Sequence, residues 1–242
     1  METRTLDGIV VGRQDQGEED RIVRVLTAEE GLVSVWASRA RRARSPFAVL
    51  DLAVRVRLTV RGAPGKGAGD LHNAVSVEVV EARVGLRTRL ERLGPAAVAC
   101  ETAGALATTV PDPRLFGCLE TALILLDQHD DDPAPGFLAA LLTKLLTFGG
   151  VAPALDRCPH CGLPPSTPMA WSEVGGGAFH VHCLPPDAAG AARVDLADLA
   201  QLARLRRLPM LDAWAEPAIV GPMLSLVEAH LGHALRARAW LG

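Results

Sequence analysis

Four side chains in the second half of the sequence have the types and spacing to hold one metal ion. Cys158 and Cys161 stand two residues apart, and His180 and Cys183 repeat that interval after eighteen intervening residues. This is the Cys-x2-Cys…Cys-x2-Cys pattern of a zinc knuckle with histidine in the third place. Thiolate sulfur and imidazole nitrogen both suit tetrahedral zinc, and a full set of four protein ligands leaves no position open for a substrate. The expected role is therefore a structural staple. Gly162 follows the first pair, where the backbone must turn tightly around sulfur. His160 and His182 are rival nitrogen donors, and the repeated interval favours His180. The alternative of two buried thiols and unrelated histidines fits the paired spacing less well. Cys100 and Cys118 lie in apolar helical surroundings and read as small core residues.

A second group of residues could neutralise phosphate. Between Ser34 and Lys66 there are eight basic residues and one acidic residue, Asp51. Arg39, Arg41, Arg42 and Arg44 fall in a loop expected over Ala37 to Pro46. Arg55, Arg57 and Arg61 share one face of a strand by their period of two. Together they form a candidate track for successive DNA phosphates. The competing reading is a solvated basic face paired with Glu18-Glu19-Asp20 or Asp130-Asp131-Asp132.

Signals for catalysis are missing: there is no phosphate-cradling Walker loop, no Gly-x-Ser-x-Gly elbow, no His-Glu-x-x-His and no carboxylate cluster of two-metal character. His72, His129, His230 and His233 stand apart from any nucleophile. His230 and His233 are one helical turn apart, but nothing nearby completes a ligand set. The expectation is a binding protein that is not an enzyme. A nuclease or ligase-like enzyme, and a protein adaptor that binds no DNA, are the rivals from other classes.

The elements that must position these residues divide the chain by texture. Short, branched, alternating runs at Gly8–Gly12, Ile22–Leu26, Leu32–Trp36, Val49–Val60 and Val75–Val80 predict five strands. Five strands in so short a stretch suit a small barrel of the OB type. From Val84 the apolar spacing becomes helical, with Arg83, Arg87, Arg89 and Arg92 on the other faces. Helices are expected to Cys100, then over Glu101–Thr109, Pro113–Asp127, Pro135–Phe148, Asp195–Arg207 and Pro217–Trp240. The fold class is thus α+β and multidomain: an OB barrel over 1–82, a helical domain over 83–152 and 188–242, and a zinc finger inserted at 153–187. Gly62 to Gly69 and Asp187 to Ala192 read as surface loops.

The 242 residues carry a formal net charge of -3, so the distribution of charge matters more than its total. Twenty-three of the twenty-five basic residues are arginine, whose planar fork suits phosphate and carboxylate. Tyrosine is absent, so base stacking has few candidates and nucleic-acid binding should be mainly electrostatic. No secretory signal opens the sequence. The apolar stretch Phe137 to Leu142 ends too soon to span a membrane, so a soluble cytoplasmic protein is expected. In that reducing compartment paired cysteines favour metal over disulfide.

Taken together, several stretches resemble the bacterial RecO family of recombination mediators. They are Gly8-Ile9-Val10-Val11, Gly17-Glu18-Glu19-Asp20-Arg21-Ile22-Val23, Ala40-Arg41-Arg42 before Ser45, and Lys144 through Leu155 running into Cys158-x2-Cys161. Gly176-Gly177 before His180-x2-Cys183 and the closing Arg236-Ala237-Arg238-Ala239-Trp240-Leu241 complete the match. The resemblance implies binding to single- and double-stranded DNA, annealing of complementary strands, and recognition of the acidic C-terminal tail of single-strand binding protein. It also implies work with RecR in loading RecA. Many members of that family use four cysteines where this chain has His180 in the third place. Arg204, Arg206, Arg207, Arg236 and Arg238 are candidates for the tail-binding surface or for extending the DNA track.

Overall fold

The computed structural model describes residues 3–62, 71–188 and 191–241. Lys66, most of the expected Gly62–Gly69 loop, and Ala189 and Gly190 of the Asp187–Ala192 loop lie outside the described residues.

Five strands close into a barrel: β1 (Thr3–Gln16), β2 (Asp20–Thr27), β3 (Gly31–Ala37), β4 (Arg55–Arg61) and β5 (Leu71–Glu81). Their order around the barrel is β1-β2-β3-β5-β4. β3 and β5 run parallel, and every other neighbouring pair is antiparallel. This is an OB fold. Alternation dictates it: Val23, Val25, Val33, Val35, Val56, Leu58 and Val60 point inward and are buried, while the residues between them face outward. β1 is long enough to pair with both β4 and β2 because a bulge between Val10 and Gly12 bends it.

The single strand expected over Val49–Val60 is shorter in the structure. Pro46–Val49 forms a 3-10 turn capped by Ser45, whose hydroxyl accepts the Phe47 N–H at 3.2 Å. Asp51 then accepts the Leu52 N–H at 2.7 Å, and Ala53 sits at a φ of 66°. A left-handed residue cannot continue a strand, so β4 begins only at Arg55.

The helices are α1 (Leu90–Leu106), α2 (Pro113–Gln128), α3 (Pro135–Phe148), α4 (Leu196–Leu205) and α5 (Gly221–Leu231). The two patterns expected to meet at Cys100 fuse into α1. The last expected helix stops at Gly232, whose φ of 71° ends α5, and the chain resumes as a 3-10 turn over Arg236–Trp240. Three short strands, β6 (Met169–Ser172), β7 (Gly177–His180) and β8 (Arg193–Val194), form a sheet in the order β7-β6-β8. Among the described residues no helix is long and apolar enough to cross a membrane.

Packing groups the chain into two compact units, one of Met1–Gln128 with Trp240–Gly242 and the other of His129–Ala239. A division by element type falls after residue 82, but the packing boundary falls later because α1 lies directly on the barrel. Leu32 N–H donates to Thr108 O at 2.8 Å, and Gly104 approaches Val11 so closely that a Cβ there would lie 3.1 Å from it. Within the second unit α3 is buried around almost its whole circumference, from Gly136 to Leu146, as a central helix must be.

Candidate metal centre and nucleic-acid interface

The β6–β7 hairpin builds half of the metal centre. β7 ends at His180, and the following 3-10 turn, Val181–Cys183, delivers Cys183 to the same side. The other half is the turn at Cys158–Cys161, closed by Gly162 N–H donating to Cys158 O at 2.9 Å. Gly162 has a φ of 73°, a conformation that glycine adopts without strain. The ligand atoms of Cys158, Cys161, His180 and Cys183 all lie within 4.8 Å of one another.

The histidine is oriented as a ligand must be. Its Nε2 lies 3.2 Å from Pro164 O, and a carbonyl can only accept, so Nε2 carries the proton. Nδ1 then carries the free lone pair, and it faces Cys161 Sγ at 3.4 Å. A backbone carbonyl fixing the imidazole tautomer in this way is the usual outer support of a metal-bound histidine. His182 stacks on His180 with ring centroids 5.5 Å apart and lies outside the ligand group; His160 is exposed.

The thiols show why a cation suits this cluster. Burial works against ionising Cys158, but the backbone N–H groups of Cys161, His180 and His160 outweigh it and bring the thiol down to about 6. Burial, and then the sulfurs of Cys161 and Cys158, push Cys183 up to about 11. Three sulfurs this close cannot all be anions without a compensating charge, and a divalent ion supplies it. The residues therefore fit a metal ion held by three thiolates and one imidazole.

On the barrel, the loop over 38–45 is fastened to the β1–β2 turn. Arg41 N–H donates to Glu19 O at 2.9 Å, its guanidinium donates to Gly17 O at 2.9 Å, and Arg39 N–H donates to Asp20 Oδ1 at 2.7 Å. Arg41 and Arg42 also pair with Asp15 and Glu19. The acidic residues of the competing reading are thus partly engaged, as anchors of the loop. The guanidinium groups of Arg39 and Arg44 are exposed and form no ion pair among the described residues. Two neighbours not singled out from sequence join this end of the barrel: Arg21, 2.8 Å from Asp15, and Arg13, paired with Asp51.

The strand arginines lie elsewhere. Arg61 pairs in register with Thr3, at the opposite end of β1 from Gln16. β1 spans fourteen residues from one end to the other, roughly 40 Å of extended chain. Arg57 pairs with Asp7 and Glu78, and Arg55 with Asp7 and with Glu120 of α2. The seven arginines therefore form two groups, and Arg55 is drawn into the contact between barrel and α2. Beside it lies Arg83, unread from sequence as a structural residue: its side chain is 2% exposed and it meets Glu81 and Glu120 at 2.9 and 2.8 Å.

In the second unit Arg204 grips Glu216 through two bonds of 2.8 and 2.9 Å, and this holds the Glu216 carboxyl down to about 2. Arg206 and Arg207 share Asp156, and Arg238 pairs with Glu228. Arg236 is also engaged, so these helical arginines form contacts rather than one open basic face.

Comparison with known families decides the kinship. The family model described as Recombination protein O N terminal matches residues 1–82, and Recombination protein O C terminal matches residues 87–239. The chain belongs to the RecO family. A RecO relative from Anaeromyxobacter dehalogenans, named DNA repair protein RecO, is 34% identical over 256 residues, covering 100% of this chain and 96% of its own. Relatives of the same name from Symbiobacterium thermophilum and Rubrobacter xylanophilus are 34% and 31% identical, covering 81% and 94% of this chain and 77% and 90% of theirs. RecO membership assigns the chain to DNA repair and recombination.

Proposed function

We propose that the protein is a non-enzymatic recombination mediator that binds single- and double-stranded DNA and anneals complementary strands. With RecR it helps load RecA onto DNA covered by single-strand binding protein, in the cytoplasm and on the nucleoid. The observation that carries this reading is the loop over 38–45, fastened to the β1–β2 turn of an OB barrel with Arg39 and Arg44 free of ion pairs. A fixed loop presents guanidinium groups without the entropic cost of ordering it at each encounter.

Charge neutralisation accounts for annealing. Two strands repel, and a surface that holds both lowers that repulsion and raises their local concentration, so base pairing completes the reaction without a nucleotide. Arg39, Arg41, Arg42 and Arg44 act first, with Arg55, Arg57 and Arg61 a secondary group that runs along β4 from the middle of β1 to its far end. The ion at Cys158, Cys161, His180 and Cys183 is zinc in a structural role. For the acidic tail of single-strand binding protein, Arg207 is the first residue to test, because its side chain is 67% exposed.

The decisive experiment is a salt titration of DNA binding. Arg39→Ala with Arg44→Ala should weaken binding and flatten the plot of log affinity against log salt by about 1 unit per lost phosphate contact. An unchanged slope, or annealing that accelerates as salt rises, refutes the reading. A protein adaptor would show no affinity for DNA in any form.

A further inference from the structure

The second unit carries a groove of about 610 Å³ that none of the DNA or metal chemistry uses. Trp171, Val194 and Ile219 give it an apolar lining, and Glu173, Asp195 and Asp198 line it with carboxylates against one guanidinium, that of Arg193. None of these four charged side chains forms an ion pair among the described residues. Elsewhere in this unit Glu216, Asp156 and Glu228 each have an arginine partner. Three unpaired carboxylates around one apolar groove make it a receptor for positive charge.

Two further observations point to an extended peptide. Trp171, in the wall of the groove, is 2% exposed, and its indole N–H meets no acceptor among the described residues, an uncommon state for a buried donor. β8, a two-residue strand, is the outer member of its sheet, so the sheet edge nearest Arg193 and Val194 has no further strand among the described residues. An incoming segment can add to such an edge and place alternate side chains in the groove.

We propose that this groove docks an extended segment of a partner protein that presents arginine or lysine between apolar residues. The long apolar stems of these residues lie over the lining while their charged ends meet Glu173, Asp195 and Asp198. An acidic tail is repelled here, so the site is distinct from any surface that recognises one. The inference stands independently of DNA binding.

The test uses the full-length, metal-loaded protein and a fluorescein-labelled peptide, Gly-Val-Arg-Val-Arg-Val-Gly, followed by anisotropy. Its counterpart with glutamate in place of arginine and free spermidine serve as comparisons. The basic peptide should bind, and the triple variant Glu173→Gln, Asp195→Asn, Asp198→Asn should weaken it about tenfold, the scale of one lost charge-assisted contact. Asp195 stands at the N-cap position of α4 without a side-chain cap bond, asparagine suits that position equally, and a thermal melt checks the fold. Arg193→Ala, which removes the one like charge, should strengthen binding and so tests the idea by the opposite sign. Equal binding of the acidic peptide, an unchanged affinity in the triple variant, or displacement by spermidine at the peptide's own concentration overturns the proposal. A dimer of the chain that dissolves in the triple variant overturns it too, assigning the groove to a second copy.

Discussion

Glu19 occupies Arg42, and its backbone carbonyl anchors Arg41. An exposed pair of this kind contributes little because solvent screens it, so a phosphate can replace the carboxylate at small cost, but the displaced carboxylate then repels the strand. Glu19→Gln keeps the backbone anchor and removes that repulsion. It should raise affinity for single-stranded DNA by about threefold at low salt, read by filter binding, with a gain that fades as salt screens the charge. A loss of affinity would instead make Glu19 part of the binding surface. Arg83 marks the limit of reading single residues. Helical spacing put it with Arg87, Arg89 and Arg92 on the exposed faces, yet it adopts a φ of 49° just before the first helical turn. Its partner Glu120 is 37 residues away, and a further bond goes to Ala53 O at 2.6 Å, 30 residues away. Local periodicity carries no information about such partners, so the burial of a charged side chain emerges only from the packed fold.

The finger is the most legible element because its chemistry is written in intervals. Cys158, Cys161, His180 and Cys183 are neighbours through two tight turns and one hairpin, all short-range features that spacing encodes. The repeated interval already favours His180 over His182, while the tautomer that turns Nδ1 to the cluster depends on the Pro164 carbonyl, which no interval reveals. Metal content tests the geometry directly. His182→Ala should retain one zinc per chain, whereas His180→Ala should lose most of it, by about tenfold or more in affinity, and His180→Cys should restore it. Equal loss in both alanine variants would sink the assignment of Nδ1. Among the strands, alternation revealed all five: β1 to β4 each bury one face, while β5 buries only His72 and packs Ala74 and Val77 partly against the core. The break at Asp51 and Ala53 was hidden, since the valine and leucine on either side read as one run. The strand arginines show the same limit: period two gave their shared face, while their placement along β1, away from the loop, follows from register.

At the scale of the whole molecule, the sequence shows barrel, helices and finger in their order but not how they group. The first unit takes α1 and α2 together with the barrel, and it also takes the end of the described chain. Gly94 in α1 has no room for a side chain, since a Cβ there would lie 2.3 Å from Trp240 O. Deleting residues 240–242 uncovers this part of α1. It should lower the melting temperature by a few degrees, about 1 kcal/mol, while leaving zinc content unchanged, as calorimetry and metal analysis on the same sample would show. An unchanged melting temperature would make the contact incidental. Because the segment that seats on Gly94 is made after the entire second unit, a ribosome has translated residues 129–239 before the first unit can be completed. The packing around α1 thus reaches its finished form only after the metal ligands have emerged, so chains abandoned late in synthesis would carry the finger but an α1 without its covering segment.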